Sequence, residues 1–257
     1  RTADRCVKLR ADGVENHIRQ KTGLLLDPYF SATKIAWQLE NIEGARELAN
    51  AGKLAFGTVD TWLVWNLTSG THHISDRTNA SRTMLYNIVD DCWDDELLRL
   101  LNIPWSIMPD IVWSSEVSAE VTIDGPLHGI PIAGIAGDQQ SALFGQFCID
   151  PGDVKTTYGT GCFLLQNIGT DFKLSSNKLI TTIACSANKE IVYALEGSVF
   201  VGGAVVQWLR DNMRFFAESN QIEIMASSVE SLGNVMFVPA FTGLGAPHWD
   251  PYASGLI

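Results

Sequence analysis

The sequence predicts an α/β protein of two domains, the second of which opens as a ribonuclease-H-like layer. Two features of the chain lead to this fold class. Helical and strand patterns alternate up to about Gln146, as expected for helices packed on a sheet. After the turn signal at 149–152, strand patterns separated by hairpin residues are followed by one helix. We therefore expect a domain boundary close to residue 148, which separates domains at 1–148 and 149–257.

The individual elements follow from periodicity and from start and stop signals. In the first domain, apolar spacing and capping residues predict helices at 31–40 (with Ser31 as N-cap), 44–51, 59–67, 94–101 and 141–147. The apolar run at 130–136, ended by Gly137, predicts a buried strand. In the second domain we expect strands at 154–158, 162–167, 179–185 and 190–195, then a helix at 199–212.

Composition excludes some classes of partner. The formal net charge is -11, and an acidic surface repels phosphate backbones and anionic lipids, so we expect neither nucleic acid nor membrane as a partner. The 5 cysteines are scattered and form no CxxC pair, which favours reduced thiols in the cytoplasm. A small ligand held in one cleft remains compatible with this composition.

The hairpin at 155–163 is the first candidate site. Glycines on both sides of Thr160 would let the backbone turn tightly and approach a ligand, and successive N–H groups in such a turn attract anions. The same pattern fits an ordinary hairpin. The spacing excludes a Walker A loop, since no Gly-Lys-Ser/Thr follows.

The segment at 136–140 is the second candidate. It lies where a strand stops and a helix starts, the usual position for ligands in α/β proteins. Asp138 could accept a proton from an attacking hydroxyl, and Gln139 offers both a donor and an acceptor. The alternative is that Asp138 only caps the helix.

Three further segments each allow a binding role and a packing role. Tyr29 and Phe30 could line a pocket or anchor a helix start. Gly203 and Gln207 share one helix face, where small residues could admit a nucleotide or a neighbouring sheet. The glycine-rich stretch at 241–249 fits a binding loop or a rigid connection.

The residues of these segments and their order along the chain together resemble the FGGY family of carbohydrate kinases. The stretch from Tyr29 to Trp37 fits the family's first signature. Several stretches resemble the members that phosphorylate glycerol, and the resemblance runs along the whole chain: 22–30, 57–63, 78–83, 137–140, 158–163, 194–197 and 239–244.

This resemblance implies a role for each matched residue. Asp138 would be the general base and lie near Mg²⁺, while Gln139 and Tyr29 would bind glycerol and Phe163 would line its carbon side. For the nucleotide, the resemblance implies contacts of ATP with Thr160, Gly161, Gly203 and Gln207. It further implies an actin/hexokinase-type ATPase fold and a homo-oligomer for the complete protein.

The resemblance covers the centre of the family's sequence. The phosphate hairpin that opens the family, its Arg-Glu pair for glycerol and its adenine-side glycines have no counterpart in the chain. We therefore expect a central fragment in which each domain is incomplete and which has little or no activity alone. Two alternatives are another polyol or pentulose kinase of the family and a non-catalytic ligand-binding module on an actin-like fold. A thiol enzyme using Cys162 or Cys185 is disfavoured, because neither has a His in a recognisable signature.

Overall fold

The computed structural model of the chain describes residues 2–257, which begin with five helices and continue with strands and helices in mixed order. The helices are α1 (Ala3–Ala11), α2 (Glu15–Thr22), α3 (Ser31–Asn41), α4 (Ala45–Asn50), α5 (Val59–Leu67), α6 (Arg77–Ala80), α7 (Asp95–Leu100), α8 (Asp138–Gly145), α9 (Ala204–Asp211) and α10 (Gln221–Ser227). The strands are β1 (Ile74–Asp76), β2 (Tyr86–Asn87), β3 (Cys92–Trp93), β4 (Asp110–Val112), β5 (Ser115–Glu120), β6 (Pro131–Gly134), β7 (Val154–Tyr158), β8 (Cys162–Gly169), β9 (Ile180–Ala184) and β10 (Val192–Val199).

The strands form one larger sheet and three pairs. The larger sheet has the order β7-β8-β10-β9. Strands β1 and β4 pair in parallel, with Ile74 opposite Asp110, whereas β5 and β6 pair antiparallel, with Ala119 opposite Ile132. The sequence thus correctly predicts a four-stranded sheet followed by a helix in the second half of the chain.

The chain divides into two compact units. Unit 1 comprises the chain up to Lys155, Leu165–Ser176 and Ile180–Leu195, and unit 2 comprises Thr156–Leu164, Asn177–Leu179 and Glu196–Ile257. Among residues 2–257, no helix has the length and apolarity that a bilayer span requires.

In unit 1 the N-termini of α6 and α7 are capped by aspartate side chains, whereas that of α3 has no side-chain cap. Asp94, predicted as the first residue of the helix at 94–101, is instead the cap of α7 and accepts hydrogen bonds from the N–H groups of Glu96 and Leu97. The predicted N-cap at Ser31 is wrong, because Phe30 is the cap residue and Ser31 is already helical. In place of a hydroxyl cap, the Ala32 N–H donates to the Thr83 carbonyl at 2.9 Å.

Two expectations around Asp138 also need correction. The predicted buried strand at 130–136 is the short strand β6, whose residues are mostly exposed. Its only neighbour among the described residues is β5, so the apolar run has no second strand to cover it. Helix α8 begins at Asp138, three residues before the predicted start. Apolar periodicity does not detect this first turn, because its residues are polar.

Unit 2 contains α9, which begins later than predicted. Strand β10 extends through Val199, so the helix predicted at 199–212 starts at Ala204. The ring of Trp208 on α9 packs against the rings of Phe237 and Phe241, with centroid distances of 6.0 and 5.0 Å. This aromatic cluster anchors the helix within its own unit.

Candidate active site

Asp138 occupies the first turn of α8. Gly137, with φ -62° and ψ 147°, is the extended cap residue, and the Asp138 side chain is exposed. Its Oδ1 accepts a hydrogen bond from the Gln139 N–H at 2.8 Å, and its Oδ2 accepts one from Gln139 Nε2 at 3.2 Å. Negatively charged side chains interact favourably with the partial positive charge of a helix N-terminus. The site therefore presents an anionic acceptor to solvent.

Lys155 holds the side chain of Gln139. The lysine is buried, with 5% of its surface exposed, and its Nζ donates a hydrogen bond to Gln139 Oε1. Because the amide oxygen accepts from Lys155, the amide nitrogen of Gln139 faces Asp138. Lys155, Gln139 and Asp138 thus form one chain of hydrogen bonds within unit 1.

Sequence reasoning assigned no role to Lys155. A signal for it existed, because a lysine on the inward-facing side of a strand must find a partner when it is buried. In β7 only Lys155 is buried. Its partner on α8 lies 16 positions away, so the sequence alone could not identify it.

Tyr29 lies in a turn fixed by Asp27. The Tyr29 N–H donates to Asp27 Oδ1 at 2.8 Å, and the Tyr29 ring packs edge-to-face on Phe30 at 5.3 Å. Burial raises the pKa of the Asp27 carboxyl above its usual value, and the Tyr29 N–H and the charges of Arg10 and Lys34 offset this only in part. The Tyr29 side chain is 43% exposed, while Phe30 is buried. Phe30 therefore anchors the helix start, and Tyr29 lies at the surface.

In unit 2 the hairpin between β7 and β8 caps α9. The Gly202 N–H donates to the Thr160 carbonyl and the Gly203 N–H to the Gly159 carbonyl, both at 2.7 Å, and the Ala204 N–H donates to the Thr160 carbonyl at 3.3 Å. Two segments that the sequence identifies separately are thus in contact. Since these hairpin carbonyls satisfy the first N–H groups of α9, those groups are not free for an anion. The exposed Thr160 and the hairpin's own backbone are the groups that remain for one.

Close packing explains the glycines of this contact. A Cβ on Gly203 would lie 2.8 Å from the Gly159 carbonyl oxygen, and a Cβ on Gly161 would lie 2.8 Å from the Val199 carbonyl oxygen. Neither glycine has a positive φ. Lack of space for a side chain therefore explains glycine at these two positions. Gln207 is exposed one turn further along α9, and Phe163 is half-buried, with its ring edge 3.2 Å from the Cβ position of Gly161.

The stretch at 241–249 is held within unit 2. Trp249 is buried and donates from Nε1 to the Lys178 carbonyl at 2.8 Å, and the Ala246 N–H donates to the Ser198 carbonyl at 3.0 Å. Gly243 has φ 81°, where a side chain would be strained. These contacts favour the rigid connection among the two interpretations.

The structure does not support a catalytic role for the thiol of Cys185. All 5 cysteines, which lie within the described residues, are free thiols. Burial, with the nearby Asp76 charge, raises the pKa of Cys185 to about 12, so this thiol is protonated and a poor nucleophile at neutral pH.

Comparisons with known proteins identify relatives over the whole chain. Residues 1–145 match the N-terminal domain and residues 154–257 the C-terminal domain of the FGGY family of carbohydrate kinases. The chain is 58% identical over 258 aligned positions to glycerol kinases of Vibrio atlanticus and Aliivibrio salmonicida. It covers 51% of each, so it spans about half the length of these curated relatives.

Solved structures confirm the predicted fold class. The chain matches a glycerol kinase of Plasmodium falciparum with ADP at a TM-score of 0.84 and 37% identity, over 98% of this chain and 51% of that one. A xylulose kinase of Lactobacillus acidophilus matches at a TM-score of 0.79 and 24% identity, over 98% of this chain and 51% of that one, which supports the fold alone.

Proposed function

Because the chain belongs to the FGGY family of carbohydrate kinases, we propose that the full-length protein transfers the γ-phosphoryl group of ATP to glycerol, with Asp138 as general base. The observation that carries this proposal is the exposed Asp138 carboxylate on the first turn of α8, with Gln139 at its side. The identity to relatives named glycerol kinase, 58% over the full chain, supports glycerol as the acceptor.

The reaction is a direct displacement. A terminal glycerol oxygen attacks the γ-phosphorus, the bond from that phosphorus to the β–γ bridging oxygen breaks, and ADP leaves with the bond's electrons. Asp138 takes the hydroxyl proton, and glycerol 3-phosphate forms without a covalent enzyme intermediate. Such transfers depend mainly on positioning and charge neutralisation.

Glycerol is held by three side chains in this proposal. Gln139 and Tyr29 hydrogen-bond its hydroxyls, and Phe163 forms the apolar wall beside its carbons. The exposure of Tyr29 and the fixed orientation of the Gln139 amide support these roles. Lys155 acts through Gln139, by keeping the amide nitrogen directed to the reacting side.

The nucleotide is held by unit 2. Thr160 and Gly161 bind the phosphates of ATP, and Gly203 and Gln207 contact the nucleotide along α9. The contact between the hairpin and the start of α9 supports a joint role. A matched solved glycerol kinase contains ADP, which supports a nucleotide as the phosphoryl donor.

The residues present fit a magnesium site of the kind used with nucleotides. Mg²⁺ keeps several waters and usually binds one or two carboxylates together with substrate phosphates. Asp138 supplies one exposed carboxylate, and residues 2–257 contain no cluster of three or more metal-binding side chains. Asp138 would hold the ion, which neutralises charge on the β- and γ-phosphates when bound.

We also propose that the domains extend over 1–148 and 149–257 and that the protein is a cytoplasmic homo-oligomer.

A coupled ADP-release assay on the full-length gene product tests the function. We expect glycerol to support faster ADP release than other polyols or pentuloses, and the isolated 257-residue chain, checked by intact mass, to release little or none. Preference for a pentulose would favour another kinase of the family. Glycerol binding without turnover would favour the non-catalytic module. Glycerol-dependent turnover by the isolated chain would contradict its expected inactivity.

A further inference from the structure

A buried hydrogen-bond network lies directly behind the turn that carries Asp138. Its centre is Asp76, which is fully buried and caps α6. The Asp76 carboxylate accepts hydrogen bonds from Thr78 Oγ1 at 2.8 Å, the Thr78 N–H at 3.1 Å, the Asn79 N–H at 3.0 Å, Asn79 Nδ2 at 2.8 Å and Ser114 Oγ at 2.6 Å. So many donors offset the cost of burying the charge.

The Thr78 hydroxyl connects this carboxylate to the catalytic turn. A hydroxyl has one hydrogen to donate and lone pairs that accept. Since Asp76 accepts the hydrogen, the lone pairs of Thr78 Oγ1 accept the Gly137 N–H at 2.8 Å. Thr78 and Gly137 are both buried, and Gly137 immediately precedes Asp138. The hydroxyl therefore fixes the backbone on one side of the base.

The Thr78 hydroxyl is the first arm of this network. A second arm, through Gln140, fixes the backbone on the other side of Asp138. Gln140 is 2% exposed, and its Nε2 donates to Thr182 Oγ1 at 3.1 Å. Thr182 Oγ1 also lies 2.8 Å from Ser81 Oγ, which donates to the Thr78 carbonyl at 2.7 Å. A Cβ on Gly137 would lie 2.6 Å from Gln140 Oε1, so the two arms meet at the glycine.

We propose that Thr78 and Gln140 are positioning residues for Asp138, an inference that rests on the proposed role of Asp138 as base. The Asp138 side chain is exposed and its own hydrogen bonds go to the adjacent Gln139. Its direction therefore depends on the backbone of Gly137 and Gln140, which the buried network holds, together with Gln139. Reacting groups tolerate little displacement, since a shift of about 1 Å can cost roughly 10²-fold in rate.

Thr78→Val in the full-length protein tests the first arm, because valine keeps the shape and removes the hydroxyl. We expect kcat with glycerol to fall roughly 10- to 100-fold, with the KM for ATP changed less than about twofold, because Thr78 belongs to unit 1 and the proposed nucleotide contacts belong to unit 2. Thr78→Ser, which keeps the hydroxyl, should restore kcat. Thr68→Val is the matched control. Thr68 is also buried, and its hydroxyl donates to the Val64 carbonyl and accepts the His72 N–H, neither of which belongs to the network around Asp76.

Hydrogen exchange measured by mass spectrometry gives a readout that does not depend on activity. Peptides across 134–142 should exchange faster in Thr78→Val than in wild type, and should be unchanged in Thr68→Val. If Thr78→Val does not fold, Gln140→Met tests the second arm by the same two measurements.

Equal kcat in Thr78→Val and Thr68→Val, or unchanged exchange at 134–142, would overturn the inference. A wild-type protein without glycerol turnover would instead contradict the proposed function. In that case the exchange comparison alone decides whether Thr78 holds this turn.

Discussion

The turn that carries Asp138 and the hairpin that carries Thr160 are held in place by different means. In unit 1, buried side chains hold the turn: Thr78 accepts the Gly137 N–H, and Lys155 donates to Gln139. In unit 2, backbone carbonyls of the hairpin cap α9, and glycines allow the two segments to approach.

This difference follows from what each region has to present. A general base needs a side chain with a fixed direction, which a polar network provides. A phosphate loop presents backbone groups, and these need neighbours without side chains. We therefore expect the turn in unit 1 to be sensitive to the loss of polar atoms and the hairpin in unit 2 to the gain of a single methyl group.

The largest effect is expected for Asp138→Asn. Removing the base while keeping the shape should lower kcat with glycerol by about 10²- to 10⁴-fold, the usual range for general base catalysis. Steady-state ADP release measures it. Asp150→Asn, an exposed aspartate in the turn before β7, is the control and should keep wild-type kcat. An Asp138→Asn enzyme with more than a tenth of wild-type kcat would assign the base to another group.

The next largest effect is expected for Gly203→Ala. The new methyl group would lie 2.8 Å from the Gly159 carbonyl oxygen, and such overpacking costs about 1–3 kcal/mol. Because the hairpin has to move, we expect the KM for ATP to rise at least about tenfold while the KM for glycerol changes little. Gly145→Ala is the matched control, since a Cβ there meets no atom within 4 Å. Equal ATP kinetics in the two variants would show that the close contact is not needed for nucleotide binding.

Lys155→Met is expected to have a smaller effect. It removes the donor to Gln139 Oε1 and frees the amide to rotate, which should raise the KM for glycerol by roughly 3- to 10-fold, since water recovers part of a lost hydrogen bond. Glycerol titration at saturating ATP measures this. Lys173→Met, at an exposed lysine, should leave the KM unchanged. A larger change in the KM for ATP than for glycerol would contradict the role of Lys155 in unit 1.

The smallest effect on activity is expected for Asp94→Asn, outside both regions. Burial pushes the pKa of Asp94 up, but hydrogen bonds from Lys21, the Leu97 N–H and Asn87 outweigh it and hold the pKa below its usual value. A lowered native pKa stabilises the fold above the unfolded value of about 3.9, and this contribution is lost as the pH falls further through the native value.

Asparagine keeps the helix cap through its Oδ1, but it removes the charge, and its Nδ2 cannot accept the hydrogen bonds that Asp94 Oδ2 accepts from Lys21 and Asn87. We expect the free energy of unfolding at pH 7 to fall by about 1–3 kcal/mol, with unchanged kcat. Denaturant titrations should give a constant difference from pH 7 to 5 that shrinks below about pH 4. A difference that grows as the pH falls would contradict the direction of the pKa shift.

Local patterns in the sequence predict much of the fold. Helix α5 and strand β7 have the predicted bounds, and the helix predicted at 94–101 is α7, with Asp94 as its cap. The start of α8 was missed because its first turn, Asp138 to Gln140, is polar and carries no apolar period. The predicted burial of β6 is wrong, because an apolar run does not reveal how many strands lie beside it.

The contacts that build the candidate site could not be predicted. Thr78 and Gly137 are 59 positions apart, and Lys155 and Gln139 are 16 apart, so no local pattern links them. The roles of Asp138, Gln139, Tyr29 and Phe163 toward glycerol, and of Thr160, Gly161, Gly203 and Gln207 toward ATP, remain predictions drawn from the order of the motifs.

The most direct test of the central claim is to identify where the γ-phosphoryl group goes. The full-length protein is incubated with glycerol, Mg²⁺ and ATP labelled at the γ-phosphate, and the products are separated and identified by mass spectrometry. The account predicts label in glycerol 3-phosphate, in amounts equal to the ADP formed, and loss of both products in Asp138→Asn. Label found only in inorganic phosphate, or only in the phosphate of another added polyol or pentulose, would contradict it.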